Sequence, residues 1–285
     1  RKTINWTTNM TFPTGHFYSP SPNSSELDST KFRSAFSNML DLDDPGNLEF
    51  SKKAYRSGLA FAKKVKEGRI SFNWGNGQFS PADALAYYGV ITELKPKRIV
   101  EIGSGFSTQI AIHAAKEIGP VEITCIEPYP RDFLKDSKDI ELLELKAQEV
   151  PNQLFESLKS GDILFVDSSH QAKCQSDVLD IFFRVMDLLE VGVHIHFHDI
   201  FLPDDYPFFW LKDREIYFNE QYFLLAFLKD NPDYACRLPN ANIVRNHTQT
   251  FELWISEVKP IFENELSNIE HGFIKAGSFW IEKIQ

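Results

Sequence analysis

Apolar residues recur along this chain with two different periods, and the change of period divides it. Over about residues 50–68, SKKAYRSGLAFAKKVKEG repeats its apolar positions as the stripe of an amphipathic helix and stops at Gly68. SFNWGNGQFSPADALAYYGVITELKP follows: a Gly/Asn-rich loop, then a helix capped by Ser80, with Pro81 in its first position and Pro96 closing it. Beyond it, short apolar runs take turns with helical stretches. RIVEIG (98–103), EITCIEP (122–128), ELLELKAQ (141–148), DILFVDSSH (162–170) and GVHIHFHDIF (192–201) read as strands. Helical stretches lie between them: to about residue 118, over 130–138, in VPNQLFESLKSG and in SDVLDIFFRVMDLLEVG. NEQYFLLAFLKDN (219–231) is a further helix, and YACRLPN with GSFWIEKI reads as an antiparallel closing hairpin. Strands alternating with helices build right-handed βαβ units, so the expected fold is α/β with a mainly parallel sheet covered on both faces.

Residues 1–30 are rich in Ser, Thr, Asn and Pro and carry no sustained period. They are expected to form an extended arm held down by Phe17 and Tyr18. The organisation expected is an arm with a helical extension over 1–80 and the α/β domain over 81–285, with no internal repeat.

Composition narrows the function classes. Of 285 residues, 42% are hydrophobic and 25% charged, an ordinary globular balance. A net charge of −10 without a basic run argues against affinity built on nucleic-acid phosphates. No apolar run reaches the roughly 18–20 residues of a bilayer span. Cys125, Cys174 and Cys236 are odd in number and far apart, so neither a disulfide framework nor a thiolate zinc site is indicated, and a cytoplasmic setting is expected. The chain opens on Arg1, which leaves a leader or further domain open, and a homo-oligomer is also left open. The N-x-S/T triplets at Asn5, Asn9, Asn23 and Asn246 are read as chance. The 25 Phe residues point to aromatic packing or an apolar-walled cleft.

Candidate chemistry gathers at strand ends. In VEIGSGFST (100–108), Gly103 and Gly105 allow a sharp turn, and the helix that follows offers free N–H groups. A lone G-x-G is weak, and a dinucleotide fold would place a third glycine where Thr108 stands. Glu101, just ahead of the turn, disfavours a pyrophosphate and suits a cationic ligand. Ser104, Ser107 and Thr108 complete the candidate cradle. Glu127 ends the second strand, where an acid can accept hydrogen bonds from both hydroxyls of a ribose. Gln148 and Glu149, near the end of the third strand, are candidates for a nucleobase. The bland alternatives are a tight turn without a ligand and, for Glu127, a solvated loop glutamate.

The set VEIGSGFST, IEP, DILFVDSSH and HFHDIFLP resembles the class I S-adenosylmethionine-dependent methyltransferases. It is similar in particular to a bacterial group with GHFYSP near the N-terminus and GDxLFxDSSH, HxHDIFLPxxYP and WNEQYxLxAFL in that order. Phe218 stands where the group usually has Trp. The resemblance covers most of the chain from Gly15 onward. It implies a Rossmann-like, seven-stranded, mainly parallel sheet, S-adenosyl-L-methionine bound at the first strand ends, and methyl transfer. The acceptor it brings in is a small molecule or a glycan, with oxygen on a hydroxylated or sugar-like compound as the target. The rivals are a nicotinamide-dependent oxidoreductase, opposed by Glu101 and the missing glycine, and a non-catalytic domain that kept the fold.

HIHFHD (194–199) closes the inventory. On a strand, His194, His196 and His198 share a face at intervals of about 7 Å, too far apart to converge on one ion with bonds of ~2.0–2.1 Å. His194 and His196 are therefore expected to be structural. His198 and Asp199 should emerge beside Asp167, Ser168, Ser169 and His170, at the edge where open α/β sheets bind ligands. Asp167 is expected to face the cofactor. His170, His198 and Asp199 are the candidate catalytic groups, with His170 or His198 as base. Asp167, His198 and Asp199 are candidate ligands for magnesium or manganese, weighed evenly against a metal-free base. Tyr206, Trp210, Tyr217 and Tyr222 are expected to wall the acceptor pocket as a lid.

Overall fold

Two capped helices lie ahead of the sheet in the computed structural model, which describes residues 12, 15–23, 25–262 and 276–285. Asp44 accepts from Gly46 N and Pro45 occupies the first turn, so α1 (Pro45–Lys66) begins before its apolar period becomes visible. The Ser80 side chain accepts from Asp83 N at the start of α2 (Pro81–Leu94). Residues Pro81 to Ile91 of α2 are buried on every side, as an all-apolar helix must be. Glycines let α1 press onto it backbone to backbone. A Cβ at Gly58 would lie 2.1 Å from the Leu85 carbonyl oxygen, and one at Gly89 only 1.7 Å from that of Ala54.

The alternation that follows matches the expected rhythm. In chain order it runs β1 (Arg98–Ile102), α3 (Phe106–Ile118), β2 (Glu122–Ile126), α4 (Asp132–Lys135), β3 (Glu141–Leu143), α5 (Asn152–Glu156) and β4 (Ile163–Val166). Next, α6 (Asp177–Asp180) passes through a π-helical turn (Ile181–Val185) into α7 (Met186–Leu188), and β5 (His194–Phe197) follows. The chain continues through α8 (Phe208–Lys212), α9 (Glu220–Leu228), β6 (Tyr234–Pro239), α10 (Asn240–Asn246), α11 (Thr248–Ile255) and β7 (Phe279–Lys283). The seven strands form one sheet in the order β3-β2-β1-β4-β5-β7-β6, with β7 antiparallel to both neighbours and the other pairs parallel.

Alternation along each strand divides the core. Ile99, Ile123, Ile163 and Phe165 face α1, α2 and α3, while Val100, Leu164, Ile195 and Phe197 face α5 to α7 and α9. The register then sets the site. Ile102 pairs with Ile126 and with Val166, and Val166 pairs with Phe197. Gly103, Glu127, Asp167 and His198 are the next residues, so all four leave the sheet at one level. Strand order reverses between β1 and β4, the switch point at which such sheets open a crevice.

Some expectations need correction. Strand β3 ends at Leu143, and Gln148 and Glu149 sit instead in a 3-10 turn, Ala147–Glu149. At the sheet edge β3 has one neighbour, so the alternating pattern of ELLELKAQ had nothing to hold its second half extended. Residues 1–11, which carry the Asn5 and Asn9 triplets, lie outside the described residues. Phe17 and Tyr18 are 89% and 65% exposed and hold nothing down. The arm is tied in further along, by Phe36 N to the Pro203 carbonyl and Asp205 N to the Phe32 carbonyl. Among the described residues, no helix is long and apolar enough to cross a membrane.

Candidate active site

Gly103 makes the first turn possible. Its φ of +79° is one that favours glycine, and a Cβ there would stand 1.9 Å from the Asp167 carbonyl oxygen. The ends of β1 and β4 are thus in backbone contact, joined by Asp167 N to the Ile102 carbonyl at 2.8 Å. Gly105 is different: a Cβ there would meet nothing within 4 Å. Space lies open in front of the turn, at the N-terminus of the 13-residue α3.

Glu101 lies beneath this turn, fully buried, rather than facing the open space. It accepts from the Tyr87 hydroxyl at 2.9 Å and from the Thr108 hydroxyl, while Gly105 N donates to Thr108 Oγ1 at 3.1 Å. Burial pushes its carboxyl up to about 7, against hydrogen bonds from Thr108, Tyr87 and Cys125 that pull it down. Its place is that of a support for the cradle. Ser107 is buried in the first turn of α3. Glu127 does face the rim: Oε2 accepts from Ser104 N at 3.3 Å and Oε1 from Tyr129 N at 2.8 Å. Gln148 Nε2 donates to the Gln175 carbonyl at 2.8 Å, leaving Oε1 buried without a partner. Glu149 is exposed and accepts from Lys146 N, capping its own turn.

Acids and imidazoles interleave across the ends of β4 and β5. His170 Nε2 lies 3.2 Å from Asp167 Oδ1 and 3.5 Å from Asp199 Oδ2, and its Nδ1 lies 2.8 Å from Glu220 Oε2. His198 Nδ1 lies 3.6 Å from Asp167 Oδ1 and 3.5 Å from Asp199 Oδ1, with its Nε2 3.7 Å from Asp83 Oδ2. Asp167 is the most open of these groups, its side chain 34% exposed. His170 and Asp199 both adopt positive φ, 57° and 56°, a strain that surrounding structure must hold in place.

These surroundings shift the basicity of each group. Burial opposes charge on His170, but its hydrogen bonds to Asp167 and Glu220 and the carboxylate charges outweigh that and push the imidazole well above its usual range. For His198, burial is likewise outweighed by Asp199, Asp167 and Asp83. Both imidazoles are therefore shifted well above their ordinary range. For Asp199, burial raises the carboxyl more than the His198 and His170 charges lower it. In Asp167 burial acts upward too, yet His198 and His170 keep the group ionised.

Two members of this cluster had escaped the sequence reading. Glu220 sits at the first position of α9 and is fully buried; its Oε1 accepts from Ser168 Oγ at 3.0 Å. Its neighbours are fasteners as well. Asn219 Oδ1 accepts from Ala172 N at 2.6 Å, and Gln221 bonds Phe201 N and the Asp204 carbonyl. Asp83, also fully buried, accepts from Ser80, Asn240, Gly277 N and Ser278 N, and is held down to about 2: burial is outweighed by His198 and these hydrogen bonds. In the sequence it looks like an ordinary helix-cap acid.

Among the described residues, no group of three or more His, Cys, Asp or Glu side chains is arranged to hold a metal ion. Asp167, His198 and Asp199 are instead set against one another as acid–imidazole pairs. His194 and His196 fit the structural expectation. Phe50 stacks on His194, and His196 lies 3.9 Å from the Phe165 ring with Nε2 bonded to Ser278. Tyr206 and Trp210 do not wall a pocket. With Phe201 and Leu211 they form the core of a cap, onto which Leu27 and Phe32 of the arm pack. Tyr217 packs on that core with its hydroxyl buried and unpartnered, and Tyr222 bonds Asp205 at the surface. From the cap side Phe218 reaches the site, its ring centroid 4.7 Å from that of His170, while Phe79 stacks on His198.

Residues 100–200, which carry the turn and both strand ends, match the family model described as a methyltransferase domain. An uncharacterised protein of Archaeoglobus fulgidus is 35% identical over 167 residues, 53% of this chain and 76% of that protein. Similar solved structures include the S-adenosylhomocysteine-bound methyltransferase PaMTH1 of Podospora anserina, with 16% identity, 81% and 88% coverage of the two chains and a TM-score of 0.45. Another is the O-methyltransferase TomG of Streptomyces achromogenes, with 14% identity, 91% and 100% coverage and a TM-score of 0.39. The domain match speaks against the nicotinamide-dependent oxidoreductase. The chain belongs to the family of the archaeal protein and carries a methyltransferase domain at residues 100–200.

Proposed function

We propose that the protein methylates a hydroxyl oxygen of a small hydroxylated or sugar-like acceptor, with Asp199 receiving the proton. The observation that carries this reading is the cluster at the ends of β4 and β5, where charged imidazoles leave a carboxylate of raised basicity as the open proton position. The cradle suits the cofactor. Open space lies before Gly105, the Glu127 carboxylate stands at the rim for a ribose, and Gln148 offers an unpaired buried oxygen for the base. Ser104, Ser107 and Thr108 shape the turn, and Asp167 stands between cradle and cluster. When bound, S-adenosylmethionine supplies the methyl group and leaves as the neutral thioether.

The residues of this chain do the rest. Phe218 and the cap limit water at His170, and Glu220 fixes the His170 ring through Nδ1, so that Nε2 faces Asp167 and Asp199. As the acceptor O–H attacks, its oxygen gains the methyl carbon and its proton passes to Asp199, whose new neutral form His170 and His198 no longer need to balance. Most of the rate comes from alignment of the acceptor.

A second reading places a divalent cation on Asp167, His198 and Asp199. It is favoured by the excess of four carboxylates over two imidazoles, with Asp167 Oδ1 and Asp199 Oδ1 each within 3.6 Å of one His198 nitrogen. The side chains would have to close in around such an ion, which would polarise the acceptor hydroxyl.

The test is release of S-adenosylhomocysteine with a panel of phenols, catechols, glycosides and amines. Turnover confined to amines would overturn the assignment to oxygen. Asp199→Asn should keep cofactor affinity and lose roughly 10²-fold or more in rate. The wild-type rate should fall on the acid side as Asp199 is protonated. Loss of turnover in EDTA, restored by manganese or magnesium, would favour the second reading.

A further inference from the structure

We propose that Arg184 is a positioning residue for cofactor recognition: through the turn Ala147–Glu149 it fixes the Gln148 amide as an acceptor for an exocyclic amino group. This rests on the reading above, with the nucleoside end of the cofactor near the end of β3.

Arg184 lies in the π-helical turn between α6 and α7, a local widening often found at functional sites. Its guanidinium grips Asp180 with two bonds, Nε to Oδ1 at 2.8 Å and Nη2 to Oδ2 at 2.6 Å. The same group reaches across to the segment after β3. Nη2 donates to the Ala147 carbonyl at 3.1 Å, and Nη1 to the Val150 carbonyl at 3.4 Å and to Asn152 Oδ1 at 2.8 Å. Its Cζ also stands 5.3 Å from the centre of the Phe155 ring. One planar fork therefore holds the turn at both ends, with Gln148 and Glu149 between the two carbonyls.

The orientation of the Gln148 amide follows from its other contact. The Gln175 carbonyl can only accept, so the atom 2.8 Å from it is the nitrogen, and the unpartnered buried atom is the oxygen. A buried acceptor without a donor is destabilising, and a ligand N–H can relieve it. The 6-amino group of adenine is such a donor. A 6-oxo purine would set a second acceptor against the first. Arg184 and Gln175 belong to the same stretch of chain, so it frames the amide from both sides.

Calorimetric titration with S-adenosylhomocysteine and S-inosylhomocysteine tests this, alongside steady-state kinetics and melting curves. Wild type should prefer the adenine compound by about tenfold or more, and Gln148→Ala should lose that preference. Arg184→Lys keeps the charge and the Asp180 pair but cannot fork to two carbonyls. It should weaken S-adenosylhomocysteine by about five- to tenfold, narrow the preference, and raise KM for S-adenosylmethionine rather than lower kcat. Asn152→Ala removes one anchor and should move both quantities the same way by less. Wild-type affinity and preference in Arg184→Lys, with both lost in Gln148→Ala, would overturn the proposal alone. Wild-type behaviour in Gln148→Ala would overturn it together with the placement of adenine beneath it.

Discussion

Two glycines of one turn should respond to alanine in opposite ways. At Gly103 the new Cβ would sit 1.9 Å from the Asp167 carbonyl oxygen, at a φ of +79°. The left-handed conformation alone costs a non-glycine residue roughly 1–2 kcal/mol. The contact must also open by more than ~1 Å, which strains the bond between Asp167 N and the Ile102 carbonyl and adds about 1–3 kcal/mol. Gly103→Ala should therefore lose about 3 kcal/mol or more, a fall in Tm of roughly 6–12 °C for a chain of this size. At Gly105 nothing lies within 4 Å and φ is −178°, an extended value. Gly105→Ala should melt with wild type. If the cofactor occupies the space before the turn, however, the methyl group enters its volume, and affinity for S-adenosylhomocysteine should fall about tenfold or more. Melting without ligand and calorimetric titration separate the two effects. Wild-type affinity in Gly105→Ala would remove this turn from the cofactor site. A wild-type Tm in Gly103→Ala would contradict the contact between the ends of β1 and β4.

Glu127→Ala removes the carboxylate offered to the ribose. It should cost ~2 kcal/mol of S-adenosylhomocysteine affinity by calorimetry, and unchanged binding in a folded variant would take Glu127 out of the site. Glu101 binds its proton more tightly folded than unfolded, since burial lifts its carboxyl from 4.5 to about 7. Its contribution to stability is full below pH ~4.5 and is lost as pH rises through ~7, by up to about 3 kcal/mol. Glu101→Gln should flatten that slope in denaturant melts at pH 5 and 8, and an unchanged slope would mean that another group sets it.

The fold was legible because the central strands β1, β4 and β5 are buried on both faces while helices such as α1 and α3 bury one, so the hydrophobic period changes at their boundaries. Legibility failed where packing, rather than pattern, decides. Strand β3 keeps alternating on paper past Leu143, but only β2 is there to hold it. The π-helical turn at Ile181–Val185 leaves the apolar positions of SDVLDIFFRVMDLLEVG looking like one plain helix. Phe17 and Tyr18 looked like anchors because aromatic residues often are, yet the chain is fastened further along, by Leu27 and Phe32 on the cap and by backbone bonds from Phe36 and Asp205.

The site divides along the same line. Gly103, Glu127, Asp167 and His198 were recognisable because each follows a strand, and parallel register brings strand ends level. The protonation states were not recognisable, since they depend on how many carboxylates surround each imidazole. His170 reads as a base in DSSH, but Asp167 within that motif and Glu220, fifty residues further on at its Nδ1, together push it well above the usual imidazole range. Asn219, Glu220 and Gln221 make the point most fully. Asn219 fastens the loop after β4 at Ala172, Glu220 fixes His170, and Gln221 fastens the loop after β5 at Phe201 and Asp204. Three adjacent residues at the start of α9 thus set the spacing between the two halves of the acid–imidazole cluster. Chemistry at the strand ends therefore depends on a helix start that touches neither the cradle nor Asp199, and selection on alignment would act there as strongly as on the reacting groups.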